Sequence, residues 1–140
     1  MAKLLALDVG LARIGVAITD VDQKLAFPHS TVKVYAFEQA VYDVLDIIED
    51  EQIEKVFVGL PISDDGTESS VAPKIRQFVK LLQVETDVGI EFVDERYTTK
   101  MAHQQLKDLG KSPSRSRNIV DQIAAVNILT GDQILPLEVV

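Results

Sequence analysis

The chain predicts an α/β fold built on a mixed five-stranded sheet, with the first three strands antiparallel and helices on both faces. Three β-type runs come first, and helical and β-type runs then alternate, the order expected when a meander is extended by parallel strands. Two of the later runs, Lys55-Val-Phe-Val-Gly-Leu60 and Gly89-Ile-Glu-Phe-Val93, are short and nearly all apolar, as strands covered on both faces are. The helical runs between them carry apolar residues at i, i+3, i+4 spacing, one buried stripe each.

Taken in order, residues 3–8 and 13–19 read as a hairpin pair turned at Gly10. The turn Asp20-Val-Asp-Gln leads into a third strand, Lys24 to Val34. Phe37, Ala40, Val41, Val44, Leu45 and Ile48 then mark an amphipathic helix. After the strand 55–60 comes a loop, Pro61 to Gly66, and a helix start at Thr67-Glu68-Ser69-Ser70. The stripe that follows includes Val71, Ile75, Phe78 and Leu82, and Pro73 is tolerated because it lies near the first turn. Beyond the strand 89–93, a helix from about Thr98 stops near Gly110, and a last helix runs from about Ser116 to Asp132. Neither a repeat nor a linker interrupts the chain, so residues 1–140 are expected to form one domain.

Composition narrows the function classes. A chain of 140 residues with 46% hydrophobic and 26% charged residues has the profile of a soluble globular protein with a real core. The absence of cysteine rules out a disulfide framework and a thiolate metal site. No apolar run is long enough to cross a bilayer, and the start lacks a signal peptide's flanks, so cytoplasmic residence is the default. The net charge of −8 argues against gripping nucleic acid over a broad surface, because phosphate neutralisation needs clustered Lys and Arg. Any such contact has to be local.

Three acidic sites carry the chemistry. Asp8 ends the first apolar strand, where a charge leaving the core invites a cation or donor; the alternative is a turn Asp capping nearby amides. Asp121 heads the row Asp121, Ala124, Ala125, Ile128, Leu129, the inward stripe of the last helix, although the helix dipole alone also favours an acid early in a helix. Asp94 and Glu95 end the strand 89–93, and alternation sends them to opposite faces, so one of the two reaches the centre. Three carboxylates without a thiolate suit Mg²⁺ or Mn²⁺ rather than zinc. The two histidines, His29 and His103, lack ligand-like spacing, and His29 reads as a polar loop residue.

On these residues the chain resembles the YqgF-type family, Holliday-junction-resolvase-like proteins regarded as pre-16S rRNA nucleases with an RNase H-like fold. The matching segments are Leu7-Asp8-Val-Gly10-Leu-Ala-Arg13-Ile-Gly15-Val-Ala17, Val58-Gly59-Leu60-Pro61 with Asp65-Gly66-Thr67-Glu68, Asp94-Glu95-Arg96-Tyr-Thr98-Thr99, and Val120-Asp121-Gln-Ile-Ala124-Ala125-Val-Asn-Ile128-Leu129. The resemblance implies that Asp8, Glu95 and Asp121, with Asp94 as the alternate to Glu95, are the catalytic, metal-binding acids. Gln122 stands where the family often has Ser or Thr, and Leu11 where it often has Thr.

A positive rim can answer the net charge. Lys111, Arg115 and Arg117 lie in a Gly/Ser/Pro-rich stretch without an acid, ahead of Asp121, and Arg13 and Arg96 flank the other acidic sites. The amides at Thr67 could hold a phosphate, but Asp64 and Asp65 would oppose it, so that loop is expected to shape the site rather than bind. The leading reading is a metal-dependent nuclease, with water as nucleophile, acting on pre-rRNA in 5′-end processing of pre-16S rRNA or on branched DNA. Ribosomal particles are partners on this reading, a membrane is not, and monomer and homodimer both stay open. A non-catalytic nucleic-acid-binding or ribosome-assembly factor is the alternative. A sugar-kinase or actin-type ATPase module ranks third, because such ATPases need two such domains.

Overall fold

The computed structural model describes residues 2–63, 65–94, 117–130 and 136–139. Strands β1 (Lys3–Val9), β2 (Arg13–Thr19) and β3 (Ala26–Lys33) are followed by helix α1 (Phe37–Asp50), β4 (Ile53–Leu60), α2 (Ala72–Glu85), β5 (Gly89–Asp94), α3 (Arg117–Thr130) and β6 (Pro136–Val139). The strands make one sheet in the order β3-β2-β1-β4-β5-β6. The first three are antiparallel, and β4 and β5 run parallel to β1. The five expected strands are present, and β6 adds a sixth by pairing antiparallel with β5. Its four residues begin with a proline, which is compatible with the first position of an edge strand. The helix expected over about 98–110 lies outside the described residues.

Alternation along the strands divides the interior into two layers. Leu5, Leu7, Val9, Ile14, Val16, Val56, Val58, Leu60, Ile90 and Phe92 face α1 and α2 and pack with Val41, Val44, Ile75, Phe78 and Leu82. Phe78 is fully buried and meets Phe37 edge-on, with ring centroids 5.6 Å apart. The opposite face offers Ala6, Ala17, Phe57 and Val93 to Ala125, Ile128 and Leu129 of α3. At the end of that face remote from Asp8, Lys55 pairs with Glu91, a carboxylate only 7% exposed, so the strand that reads as almost wholly apolar carries one compensated charge.

Several boundaries differ from the expectation for local reasons. The Asp20 carboxylate accepts hydrogen bonds from the amides of Lys24 (2.8 Å) and Leu25 (3.2 Å), and Gln23 takes φ 59°, so the turn absorbs two residues and β3 starts at Ala26. His29 stands exposed on edge strand β3 and not in a loop, with Nδ1 2.7 Å from Ser30 Oγ. Helix α2 starts at Ala72 and not at Thr67, because Ile62 and Glu68 form an isolated antiparallel bridge that holds the intervening chain extended. Asp65 Oδ1 accepts from the Thr67 amide and hydroxyl within the same loop. Among the described residues no helix is long and apolar enough to cross a membrane.

Candidate functional site

The ends of β1, β3, β4 and β5 and the start of β2 meet at one edge of the sheet, and the chain turns there tightly. Gly10 donates its amide to the Arg13 carbonyl at 2.8 Å. A Cβ on Gly10 would sit 2.7 Å from that oxygen, closer than real contacts allow, so the turn returning β1 into β2 requires glycine. Asp8, one residue before the end of β1, shares the face of Ala6 because Leu7 and Val9 point into the other layer. That is the face covered by α3.

The helix comes down on β2 at Gly15, the residue paired directly with Asp8. A Cβ built on Gly15 would lie 2.1 Å from the Asp121 carbonyl oxygen and 2.9 Å from Asp121 Cβ. The backbone of α3 therefore rests on bare backbone of β2, and Ala124 and Ala125, both fully buried, continue the close approach. A glycine inside an otherwise apolar strand is the sequence signal for such an approach. Asp121 is held over the strand next to Asp8, half-buried and not on the solvent side of its helix.

Two polar contacts lock this placement. Arg13 donates Nε–H to Asp121 Oδ2 at 2.7 Å, a short charge-assisted bond between side chains 31% and 20% exposed. Gln122 donates Nε2–H to Thr31 Oγ1 at 2.9 Å, tying α3 to β3. Gln122, one of the chain's departures from the resembled pattern, thus has a structural task. Arg13, expected on the substrate rim, has its Nε committed to a candidate ligand. Sequence alone could not show that pairing, since the partners are 108 residues apart.

The other expected site residues fall as follows. Asp94 pairs in register with Leu60 at the same sheet edge. Phe92 lies in the α1/α2 layer and Val93 in the α3 layer, so alternation puts Asp94 on the face away from Asp8 and Asp121. Glu95, Arg96, Lys111 and Arg115 lie outside the described residues, as do His103 and Asp64. Arg117 opens α3, and its side chain is not described. Among the described residues no three His, Cys, Asp or Glu side chains form a metal-binding group. Asp8 and Asp121 supply two carboxylates, a donor set that fits a hard divalent cation and not a thiophilic one.

Comparison with known proteins agrees with this architecture. The model of the RuvX family, described as Holliday junction resolvase, matches residues 2–132. A protein of Natranaerobius thermophilus named "Putative pre-16S rRNA nuclease" is 39% identical over 127 residues, covering 91% of this chain and 90% of the relative. One of the same name from Chloroflexus aurantiacus is 36% identical over 126 residues, covering 90% and 82%. Among solved structures, Thermus thermophilus RuvC in complex with a Holliday junction substrate superposes with a TM-score of 0.59 at 15% identity, covering 98% of this chain and 100% of RuvC. At that identity the likeness concerns the fold, which is RNase H-like.

Proposed function

The chain belongs to the RuvX family of Holliday junction resolvases, and on that footing we propose that it is a metal-dependent nuclease. Its substrate on this reading is nucleic acid, with 5′-end processing of pre-16S rRNA the first candidate and branched DNA the second. Residues 1–140 act as one nuclease domain in the cytoplasm. The observation that carries the reading is the juxtaposition of Asp8 and Asp121 across Gly15, on the sheet face that α3 approaches most closely. Two carboxylates on one sheet face, at paired positions of neighbouring elements, make a ready seat for a divalent cation, and the Arg13 guanidinium already orients one of them.

Asp8 and Asp121 would hold Mg²⁺ or Mn²⁺, with Glu95 as the third ligand. Glu95 is favoured over Asp94 because Asp94 shares the strand face of Phe92, on the other side of the sheet. Two bound cations would supply Lewis-acid activation of a water and charge neutralisation on the leaving oxygen. The protein's own share is positional. The Gly10 turn and the Gly15 contact fix where the Asp8 and Asp121 carboxylates stand, and the Arg13 guanidinium fixes the orientation of Asp121. Arg96, Lys111, Arg115 and Arg117 bind substrate phosphates and offset the local effect of the net charge.

The test is cleavage of a labelled pre-16S rRNA 5′ leader and of a four-way DNA junction by the pure protein with Mg²⁺ or Mn²⁺. Asp8→Asn is expected to abolish cleavage while changing substrate affinity little, because a metal ligand acts mainly on the transition state. Mn²⁺ is expected to raise the melting temperature of the wild type and to lose that effect in Asp8→Asn. Full cleavage by Asp8→Asn would end the mechanism. Tight binding without cleavage by the wild type under either ion would return the chain to the assembly-factor reading.

A further inference from the structure

Beside the carboxylate pair, edge strand β3 ends in an exposed cation and is followed by an exposed ring. Lys33 pairs in register with Arg13. It lies on the α3 face, since Val32 before it enters the other layer and Thr31 meets Gln122 of α3. Two cations directly opposite on one sheet face repel. Arg13 is balanced by Asp121, but the Lys33 ammonium has no ion-pair partner among the described residues. An anion arriving there would meet the Lys33 ammonium.

Two residues on, Tyr35 is 80% exposed. Its position, just before the α1 N-cap Ala36, is where an apolar side chain ordinarily packs back against the first turn of the helix. At that exposure Tyr35 does not do so. Its backbone is nevertheless held firmly. Gln39 Oε1 accepts from the amides of Tyr35 (2.9 Å) and Ala36 (3.3 Å), and Gln39 Nε2 donates to the Lys33 carbonyl at 3.0 Å and to Asp43. The Val34 amide donates to the Ala12 carbonyl at 2.9 Å, joining this segment to the turn that follows Asp8, where Leu11 is 59% exposed. A ring carried on a backbone fixed on two sides gives up only its own rotamer freedom when it meets a flat partner.

We propose that Lys33 and Tyr35 form a subsite for an unstacked nucleotide of the substrate strand, the ammonium on its phosphate and the ring against its base. Stacking on an aromatic and neutralisation of the backbone are the two ways in which single-stranded nucleic acid is held. Strand spacing of about 4.8 Å and a rise of about 3.3 Å per residue place Lys33 on the order of 12 Å from Asp8, within reach of a nucleotide flanking the scissile bond. This rests on the nuclease reading above and sharpens it. The preferred substrate has an unpaired segment beside the cut, and a continuous duplex would leave Tyr35 without a base.

The experiment uses the full chain in EDTA, with an RNA hairpin carrying a short single-stranded tail labelled with 2-aminopurine, the same hairpin without a tail, and the DNA counterparts of both. Tyr35→Ala is expected to weaken binding of the tailed hairpin roughly ten-fold and to leave the blunt one unchanged, with Tyr35→Phe close to wild type. Quenching of 2-aminopurine on binding should persist in Tyr35→Phe and vanish in Tyr35→Ala, a signature that a purely structural role would not move. Lys33→Gln should lower the log–log salt slope by about 0.7. Equal melting temperatures in EDTA identify the variants as folded. A Tyr35→Ala protein that binds and quenches the tailed hairpin like wild type overturns the subsite, even if the wild type cleaves with Mn²⁺. Tyr35-dependent binding by a wild type that cleaves nothing overturns the nuclease reading and leaves the subsite standing. A response confined to the RNA arm or to the DNA arm supports the subsite and assigns the sugar it accepts.

Discussion

The two faces of the sheet are built from different residue sizes and do different work. Toward α1 and α2 the strands present Leu5, Leu7, Ile14, Val16, Val58 and Leu60, and the helices answer with Val44, Ile75, Phe78 and Leu82. Toward α3, strands β1 and β2 present Ala6, Gly15 and Ala17, answered by Ala124 and Ala125, while Phe57, Val93, Ile128 and Leu129 fill the rest of that layer. Large side chains maximise apolar burial, at about 25 cal/mol per Å², and hold the helices off the sheet. Small ones forgo burial and let backbone approach backbone, so that a carboxylate on the helix can stand beside one on a strand. Charge divides along similar lines. Helix α1 carries Glu38, Asp43, Asp46, Glu49 and Asp50 and no base, which repels a polyanion from that side, whereas Arg13 and Lys33 stand at the edge beside Asp8. These acids lie on the face away from Asp8 and Asp121, so they weigh less against nucleic acid at that pair than the net charge of −8 suggests.

The comparison is broken most directly at Gly15. Gly15→Ala puts a methyl group 2.1 Å from the Asp121 carbonyl oxygen, and the obstruction is backbone that no rotamer change can clear. Helix α3 must lift, carrying the Asp121 carboxylate away from Asp8. The expected loss is at the upper end of the roughly 1–3 kcal/mol usual for overpacking, together with a fall in cleavage of about a hundred-fold, since a shift near 1 Å at a catalytic group has that effect. Urea denaturation and single-turnover cleavage measure the two. Wild-type cleavage by Gly15→Ala would show that the close approach is not what places Asp121.

The opposite face should behave in the opposite way. Phe78→Ala deletes a fully buried ring and its edge-on contact with Phe37, and about 3–5 kcal/mol of stability should go with it. The site edge is on the other side of the sheet, so cleavage per folded molecule, assayed well below the melting temperature, should stay within about two-fold of wild type. A catalytic loss in Phe78→Ala at full folding would mean that the two layers are coupled through the strands, and the division of labour would fail.

What the sequence disclosed follows the same division. The apolar stripes of α1 and α2 and the apolar runs of β4 and β5 are periodic and long enough to read, because burial on that face depends on side-chain type alone. Asp121 was legible as inward-facing because four apolar residues share its row. The Arg13–Asp121 bond, the Gln122–Thr31 bond and the free presentation of Tyr35 were not legible. The two bonds depend on how α3 docks on strands distant in sequence, and such pairs leave no local pattern. Tyr35 occupies a position where an apolar side chain ordinarily packs, so its exposure is set by the docking of α1. Strand β6 escaped because four residues beginning with proline carry no periodicity to detect.

A turn that belongs to neither layer gives the smallest expected effect and calibrates the other two. The amides of Leu25 and Lys24 donate to the Asp20 carboxylate and hold its pKa below the ordinary 3.8. A carboxyl group with a lowered folded-state pKa contributes stability that is fully present above its unfolded pKa and is lost as pH falls through the folded one. Wild type should therefore melt slightly above Asp20→Asn at neutral pH, since Asn keeps an acceptor for the two amides but not the charge that strengthens them. The gap should close as pH drops below about 3.8 toward the folded-state value. Cleavage should be unchanged, because the turn joins β2 to β3 at the end of the hairpin remote from Asp8 and Gly10. Paired melting curves across acid pH check the first expectation, and a neutral-pH cleavage assay checks the second. A gap that persists unaltered at the acid end would mean that the Asp20 contribution is steric rather than electrostatic. A cleavage defect would mean that hairpin strain reaches Gly15, and then the stability and activity losses of Gly15→Ala could no longer be assigned to the docking of α3 alone.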